Sequence, residues 1–461
     1  MGQGILPFGF EAAAQPMDLT ARAGLALVSE TLLALDLDKV VGTGLSVRVR
    51  PRGYPEFDKL QAIVLVQAAG GECVEDVRIL AGDAGLRRLL GRRWPSPDAL
   101  HDFLAMFHDE DEVARRPAGG AWIPAESAAL AALAAINTAL VQRAVATTAA
   151  PAATLDLDAT VIESHKRDAL PHYQGGRGYQ PTAVLWAEQD LVVADQFRDG
   201  NVPAGMHTLE VARRAVAAVP ETVQWRAFRG DSACYDEQLL KYLVAERIAF
   251  TISADMTPEL HRVCAVAGVH WARLEERVHE TVDVAEVEFI PGDWPKTAAP
   301  LRYLALRFQP TQGALFGETP KYLAVVTNQW EKAPAALVQW HWAKAGTIEH
   351  THDVTKNDLG AGLLPSGKFG ANAAWYRLTL LTYNVLAVLR RHALPERFQH
   401  ARPKRLRYEV FTVPAEIRTH ARQLTARLGV PPVTVDELIT ARGRLRDLQA
   451  RLRAATAAPN R

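Results

Sequence analysis

Apolar positions recur at helical spacing through the first part of the chain. Leucines and valines do so from Leu25 to Leu35. Lys59 to Ala69 is strongly apolar and ends at Gly70-Gly71, a helix stop. Between them, Leu45 to Tyr54 alternates with period two and predicts a short, basic, extended piece. Val74 to Leu80 and Gly85 to Leu90 predict two more short helices. Ser96 caps a further helix with Pro97 at its first position, and Leu100, Phe103, Leu104 and Phe107 form its apolar stripe. Residues 1–20 read as a leader arm. Such short helices suit either a helix-turn-helix-like reader of DNA or an all-helical packing and dimerisation domain. Alanine then dominates from Ala121 to Ala152, which predicts a connecting helix.

The pattern changes after Ala153. Thr154–Ile162, Thr182–Trp186 and Leu191–Phe197 read as three strands in series. Met206–Val219 is an amphipathic helix, Val223–Phe228 a fourth strand, Glu237–Glu246 a helix and Ile248–Ser253 a fifth strand. Three serial strands followed by alternating helix and strand predict an α/β core with a mixed sheet. From Trp271 to Thr327 the chain reads as mostly strand, with Ala285–Ile290, Leu301–Phe308 and Tyr322–Thr327 as its clearest segments. Helices resume at Ala333, and Ala371–Arg391 is long and apolar.

Composition narrows the class. The chain has 461 residues, 48% hydrophobic and 23% charged, which excludes a disordered or fibrous protein. Its three cysteines, Cys73, Cys234 and Cys264, form no CxxC pair, so neither a disulfide framework nor a cysteine zinc site is expected. A reducing cytoplasm is the expected location. The N-terminus lacks the basic and apolar regions of a signal peptide, and no run of about 18 apolar residues is apparent, so no membrane partner is expected. Lys+Arg and Asp+Glu both number 52. The balance is uneven, however: Arg390 to Arg461 holds 16 basic and 6 acidic residues. That asymmetry suits a polyanionic partner, or else a solvated arginine-rich helical tail.

Carboxylates at strand ends carry the chemistry. Asp156 and Asp158 lie two apart on one strand and face the same way. A buried carboxylate must be paired, hydrogen-bonded or bound to metal. Asp231 ends the fourth strand after Gly230, where it is either a site residue or the cap of the next helix. Glu349 and Lys356, seven apart, share one helix face, though a lone helical Glu is commonly just solvated. Two Asp and one Glu from separate elements make a hard oxygen site suited to Mg²⁺. Two such ions about 3.5–4 Å apart suit in-line displacement at a phosphodiester.

At these residues the chain resembles the DDE transposases of bacterial insertion sequences, in the group numbered 1380, with kinship to the group numbered 4. The resemblance runs from about Gly24 to Arg391. It is carried by Leu155–Thr160, Gly178–Pro181, Arg198–Asn201, Arg229–Ser232, Gly346–Glu349 and Phe369–Trp375, with Trp94–Leu100 in the helical region. The family implies an α/β fold with a ribonuclease-H-like mixed-sheet core, a β-rich insertion before the third acid, and a triad of Asp158, Asp231 and Glu349. The family pattern selects Asp158 as first metal ligand, with Asp156 as the alternative. It also implies two Mg²⁺ ions, replaceable by Mn²⁺. Related transposases show Tyr-x2-Arg-x3-Glu-x6-Lys around the third acid. Lys356 fits the last position, Trp342 replaces the tyrosine, and Ala345 stands at the arginine with Lys344 beside it.

The expectation is therefore a DNA transposase that binds terminal inverted repeats, then cleaves and transfers strands. Its partners would be double-stranded DNA and a second copy of itself, and its location the cytoplasm, on the nucleoid. Lys356, Lys344, Arg402, Lys404, Arg405 and Arg407 would contact DNA. A catalytically silent DNA-binding relative and another nuclease on the same fold are the alternatives. The expected organisation is a helical N-terminal domain at 1–120, a connecting helix at 121–152 and a catalytic core at 153–265 and 333–392. A β-rich insertion at 266–332 and a basic helical C-terminal region at 393–461 complete it.

Overall fold

The structure is a computed structural model that describes residues 18–48, 53–266, 268–292, 294–295, 298–310 and 320–457. The expected leader arm lies almost wholly outside the described residues, as does the middle of the basic extended piece. The chain divides into two compact units, Met1–Phe103 with Val385–Arg461, and Leu104–Asn384.

The second unit is built on one nine-stranded sheet. Its strands in chain order are β1 (Ala152–Ala159), β2 (Thr182–Trp186), β3 (Leu191–Gln196), β4 (Trp225–Gly230), β5 (Ala249–Ser253), β6 (Ala272–Glu276), β7 (Glu280–Val287), β8 (Arg302–Pro310) and β9 (Lys321–Thr327). Their order across the sheet is β6-β7-β8-β9-β5-β4-β1-β2-β3. β1, β2 and β3 are antiparallel, whereas β4 runs parallel to β1 and β5 parallel to β4. The five-strand part is the expected ribonuclease-H-like mixed sheet. β2 and β3 are buried along their whole lengths, so they read as continuous apolar runs rather than alternating ones.

One expectation changes here. The first strand stops at Ala159, because the Thr160 N–H turns to the Pro181 carbonyl. Ile162–Glu163 instead joins Leu170–Pro171 and Arg177–Tyr179 in a separate three-stranded ribbon. The expected β-rich insertion joins the core sheet directly. β9 pairs antiparallel with β5, with Thr327 opposite Thr251, so β6–β9 extend the catalytic sheet.

Helix α1 (Ala128–Val145) and helix α2 (Thr208–Ala218) pack on β3. α1 is thus a core helix of this unit rather than a connector. It is also long and apolar enough to cross a membrane by length and composition, which corrects the reading that no such run exists. Leu133, Ile136 and Leu140 bury its inner face against protein. Asn137 Nδ2 donates to the Val192 carbonyl at 2.9 Å. On the long helix α5 (Phe369–His392), Asn384 accepts from Val192 N at 2.7 Å and donates to Asn137 Oδ1 at 2.8 Å. Two asparagines therefore satisfy the outer peptide groups of an edge strand. Asn384→Ala leaves the buried Val192 N–H unpaired, and the expected loss is about 1–3 kcal/mol in urea unfolding.

The first unit combines both ends of the chain. Its helices include Ala26–Ala34, Glu56–Ala69 and Pro432–Ala457. Arg442 pairs with Glu30 at 2.7 Å and Arg453 with Asp36 at 2.9 Å. Leu19–Thr20 pairs with Ala415–His420, which forms a hairpin with Gln423–Leu428. The C-terminal region is therefore not wholly helical. Its alternation around Ile417 was masked by Arg418, Arg422 and Arg427, which made the segment read as a charged helix.

Candidate active site

β1 and β4 lie side by side and parallel, with Asp156 in register with Arg229. This register decides the fate of the first acid. Arg229 Nε donates to Asp156 Oδ1 at 2.6 Å and Nη2 to Oδ2 at 2.7 Å. Thr347 Oγ1 donates to Oδ2 at 2.5 Å, and Arg229 Nη1 reaches the Trp340 carbonyl at 2.5 Å. Asp156 is fully buried. Burial pushes its carboxyl up, against the pull of Arg229 and Thr347. Both oxygens are thus committed, and the residue ties β1 to β4 and to the start of the helix that carries Glu349. Arg229 and Thr347 stood in the segments that carry the resemblance but were not expected as site residues. The available signal was the need of a buried carboxylate for a cation on the neighbouring strand.

Asp158 stands two residues on, at the carboxyl end of β1, with its side chain 15% exposed. Asp231 follows β4. Gly230 permits the close turn there, since a Cβ would lie 2.6 Å from Cys234 Sγ. Asp231 Oδ1 accepts from Ala233 N at 3.1 Å and caps the short turn Ser232–Cys234. The predicted helix, observed at Glu237–Ala245, is capped by Asp236 instead, and the cap that Asp231 makes uses one oxygen of two. Burial pushes the Asp231 carboxyl up, Lys344 draws it down, and Asp158 raises it again. The two carboxylates thus share one electrostatic environment. Their cation is Lys344, whose Nζ lies 3.4 Å from Asp158 Oδ1. Lys344 is buried, so its ammonium faces the acids and not a phosphate outside.

Glu349 lies in the first turn of helix α4 (Ile348–Asp358), with its side chain exposed. The structure does not gather it with the other two acids: among the described residues no group of three His, Cys, Asp or Glu could hold a metal ion. One turn on, His352 is buried where α4 packs against β1, close to the Asp158 backbone. Burial, with help from Lys356 and Lys344, pushes its pKa down to about 3. A neutral imidazole therefore lies between α4 and β1, on the helix face that Glu349 shares. Lys356 Nζ reaches the Val161 carbonyl at 3.4 Å, just beyond the end of β1.

His341, on helix α3 (Pro334–Trp342), is held by Ser253 Oγ at 3.0 Å and Thr251 Oγ1 at 3.1 Å, both on β5. Burial and the nearby Lys344 and Arg229 charges push its pKa down to about 4. Its ordinary value is near 6.5. Between those limits the unfolded chain takes up a proton that the folded one refuses. Stability contributed by His341 is thus complete above pH 6.5 and lost as pH falls toward 4, at about 1.4 kcal/mol per pH unit. In His341→Gln, urea unfolding should show a pH slope shallower by one proton over this range.

The C-terminal basic residues divide. Lys404 and Arg405 are exposed, Arg405 paired with Glu409 at 2.8 Å, and Arg402 is half-buried. Arg407 differs. Its Nε donates to the Ala68 carbonyl at 2.9 Å and Nη2 to Gln67 at 3.1 Å, at the end of helix Glu56–Ala69. It closes a helix terminus, so the expectation that it contacts DNA is corrected.

Residues 10–450 match the family described as transposase DDE domain, group 1. Curated proteins give no match in sequence. Among solved structures, one described as the cryo-EM structure of the piggyBac transposase synaptic complex with hairpin DNA aligns with 95% of this chain and 82% of that one. The identity is 11% and the TM-score 0.45. The family match covers both units, including the strand ends that carry Asp158 and Asp231, and the chain belongs to the group 1 DDE-domain transposases.

Proposed function

We propose that this protein is the transposase of a bacterial insertion sequence, in the group numbered 1380, and that it acts on the element's inverted-repeat ends. The observation that supports this most is the pair Asp158 and Asp231, at the ends of adjacent parallel strands, balanced by one lysine. Two oxygen donors with a surplus of negative charge suit a hard divalent cation, Mg²⁺ or Mn²⁺. Asp158 and Asp231 would hold it, and Glu349, on a helix packed against β1, would complete the set. Asp156 would not, because Arg229 and Thr347 occupy its oxygens. Such ions supply activation of a water and stabilisation of a leaving oxygen.

The reaction would be hydrolysis of a phosphodiester to free a 3′-hydroxyl, then attack of that hydroxyl on target DNA. Lys356, beside the end of β1, would meet a phosphate near the cut. Lys404, Arg405 and Arg402 would contact the backbone of double-stranded DNA. Two element ends call for two copies of the chain, on the nucleoid in the cytoplasm. The test is incubation with a labelled DNA carrying the element's own end. Cleavage at the end with Mg²⁺ or Mn²⁺, a strand-transfer product, and loss of both in EDTA are the expected results. Binding without cutting would point to a silent relative, and cutting without strand transfer to a nuclease.

A further inference from the structure

Lys344 is placed unlike a DNA-contacting lysine. Its ammonium lies 3.4 Å from Asp158 Oδ1 and lowers the pKa of Asp231 as well. A buried ammonium needs a carboxylate partner, and here the partner is the proposed metal ligand Asp158. Its backbone is fixed. The Lys344 carbonyl accepts from Thr347 N at 3.1 Å, and Thr347 is bound through Asp156 to Arg229. The turn next to it is open: Ala345 and Gly346 are exposed, and a Cβ added at Gly346 would meet nothing within 4 Å. A four-carbon stem on a fixed anchor can move its charge from the acids to solvent without moving the fold.

We propose that Lys344 is the resident counter-ion of the Asp158–Asp231 pair, and that a divalent cation enters the site by expelling it. The inference rests on the metal-binding reading of the pair. Without metal, the lysine offsets the mutual repulsion of the two carboxylates. With metal, the ammonium would face a cation of higher charge at the same oxygens and must leave. Metal affinity is therefore set by a competition built into the chain, and the released lysine becomes available at the protein surface only in the loaded state.

Two measurements on the full-length, DNA-free protein test this. The first titrates Mn²⁺ against wild type, Lys344→Met, Lys344→Arg and Asp231→Asn, reading free Mn²⁺ by electron paramagnetic resonance. Removing the competing charge should tighten Mn²⁺ binding by about tenfold or more in Lys344→Met. Lys344→Arg should stay near wild type, and Asp231→Asn should lose the site. A merely structural lysine would give weaker binding in Lys344→Met, and that result, or no change, overturns the proposal while leaving the metal site intact. Absence of Asp231-dependent binding in every protein overturns the metal reading and the proposal with it. The second measurement needs no variant. Acetylation of Lys344 by a water-soluble ester, read by mass spectrometry, should be slow in EDTA and several-fold faster with Mn²⁺. Equal rates overturn the expulsion even if Lys344→Met fails to fold.

Discussion

Asp231→Asn is expected to lower cleavage of element-end DNA by about 10³-fold or more, with DNA binding and folding retained. A metal-held transition state gains several kcal/mol from its ligands, and each 1.36 kcal/mol is tenfold in rate. The amide keeps a side-chain oxygen for the Ala233 N–H, so the cap at Ser232–Cys234 survives. It loses the charge that a divalent cation requires. The measurement is release of a 3′-hydroxyl in Mg²⁺, alongside a band-shift assay for binding. Asp158→Asn should behave alike, since its oxygen faces the same Lys344. Cleavage within tenfold of wild type in either variant would remove that residue from the site.

Arg229→Met is expected to destabilise the fold by about 3–5 kcal/mol, because it leaves a buried carboxylate unpaired. The guanidinium now spans Asp156 and the Trp340 carbonyl, so one side chain joins β1, β4 and α3. Burial already pushes Asp156 toward protonation. Without Arg229 it would take up a proton or admit water. The double variant Asp156→Leu with Arg229→Met should recover much of the loss, as replacement of a buried pair by apolar groups often does. Urea unfolding of the two single variants and the double variant measures the coupling. Additive losses would show that the pair is not a unit.

The catalytic sheet was legible in the sequence because its strands are short apolar runs bounded by polar turns. Thr182–Trp186 is observed at the predicted bounds, and Leu191–Phe197 within one residue. The link between the insertion and that sheet was not legible. It depends on β9 meeting β5, a pairing between segments far apart in sequence that no local pattern encodes. The terminal hairpin was missed for a related reason: an edge ribbon needs few apolar positions, and arginines fill the rest. At the site, spacing placed Asp156 and Asp158 on one face. It could not tell ligand from ion pair, because the difference lies in which of them is in register with Arg229. Lys344 was read as facing DNA, since its burial arises from the turn Ala343–Gly346 folding back toward β1.

The two ends of the nine-stranded sheet are closed in different ways. At one edge, the Val192 peptide is taken by Asn137 and Asn384. At the other, β6 carries Arg273, Glu275 and Glu276, exposed, with a break in register between Arg273 and Glu275. Side-chain hydrogen bonds at Val192 and the charged, irregular β6 both interrupt the row of peptide groups that a visiting strand would need. At high local concentration, copies of the chain would be less open to cross-β pairing through these edges than through bare ones.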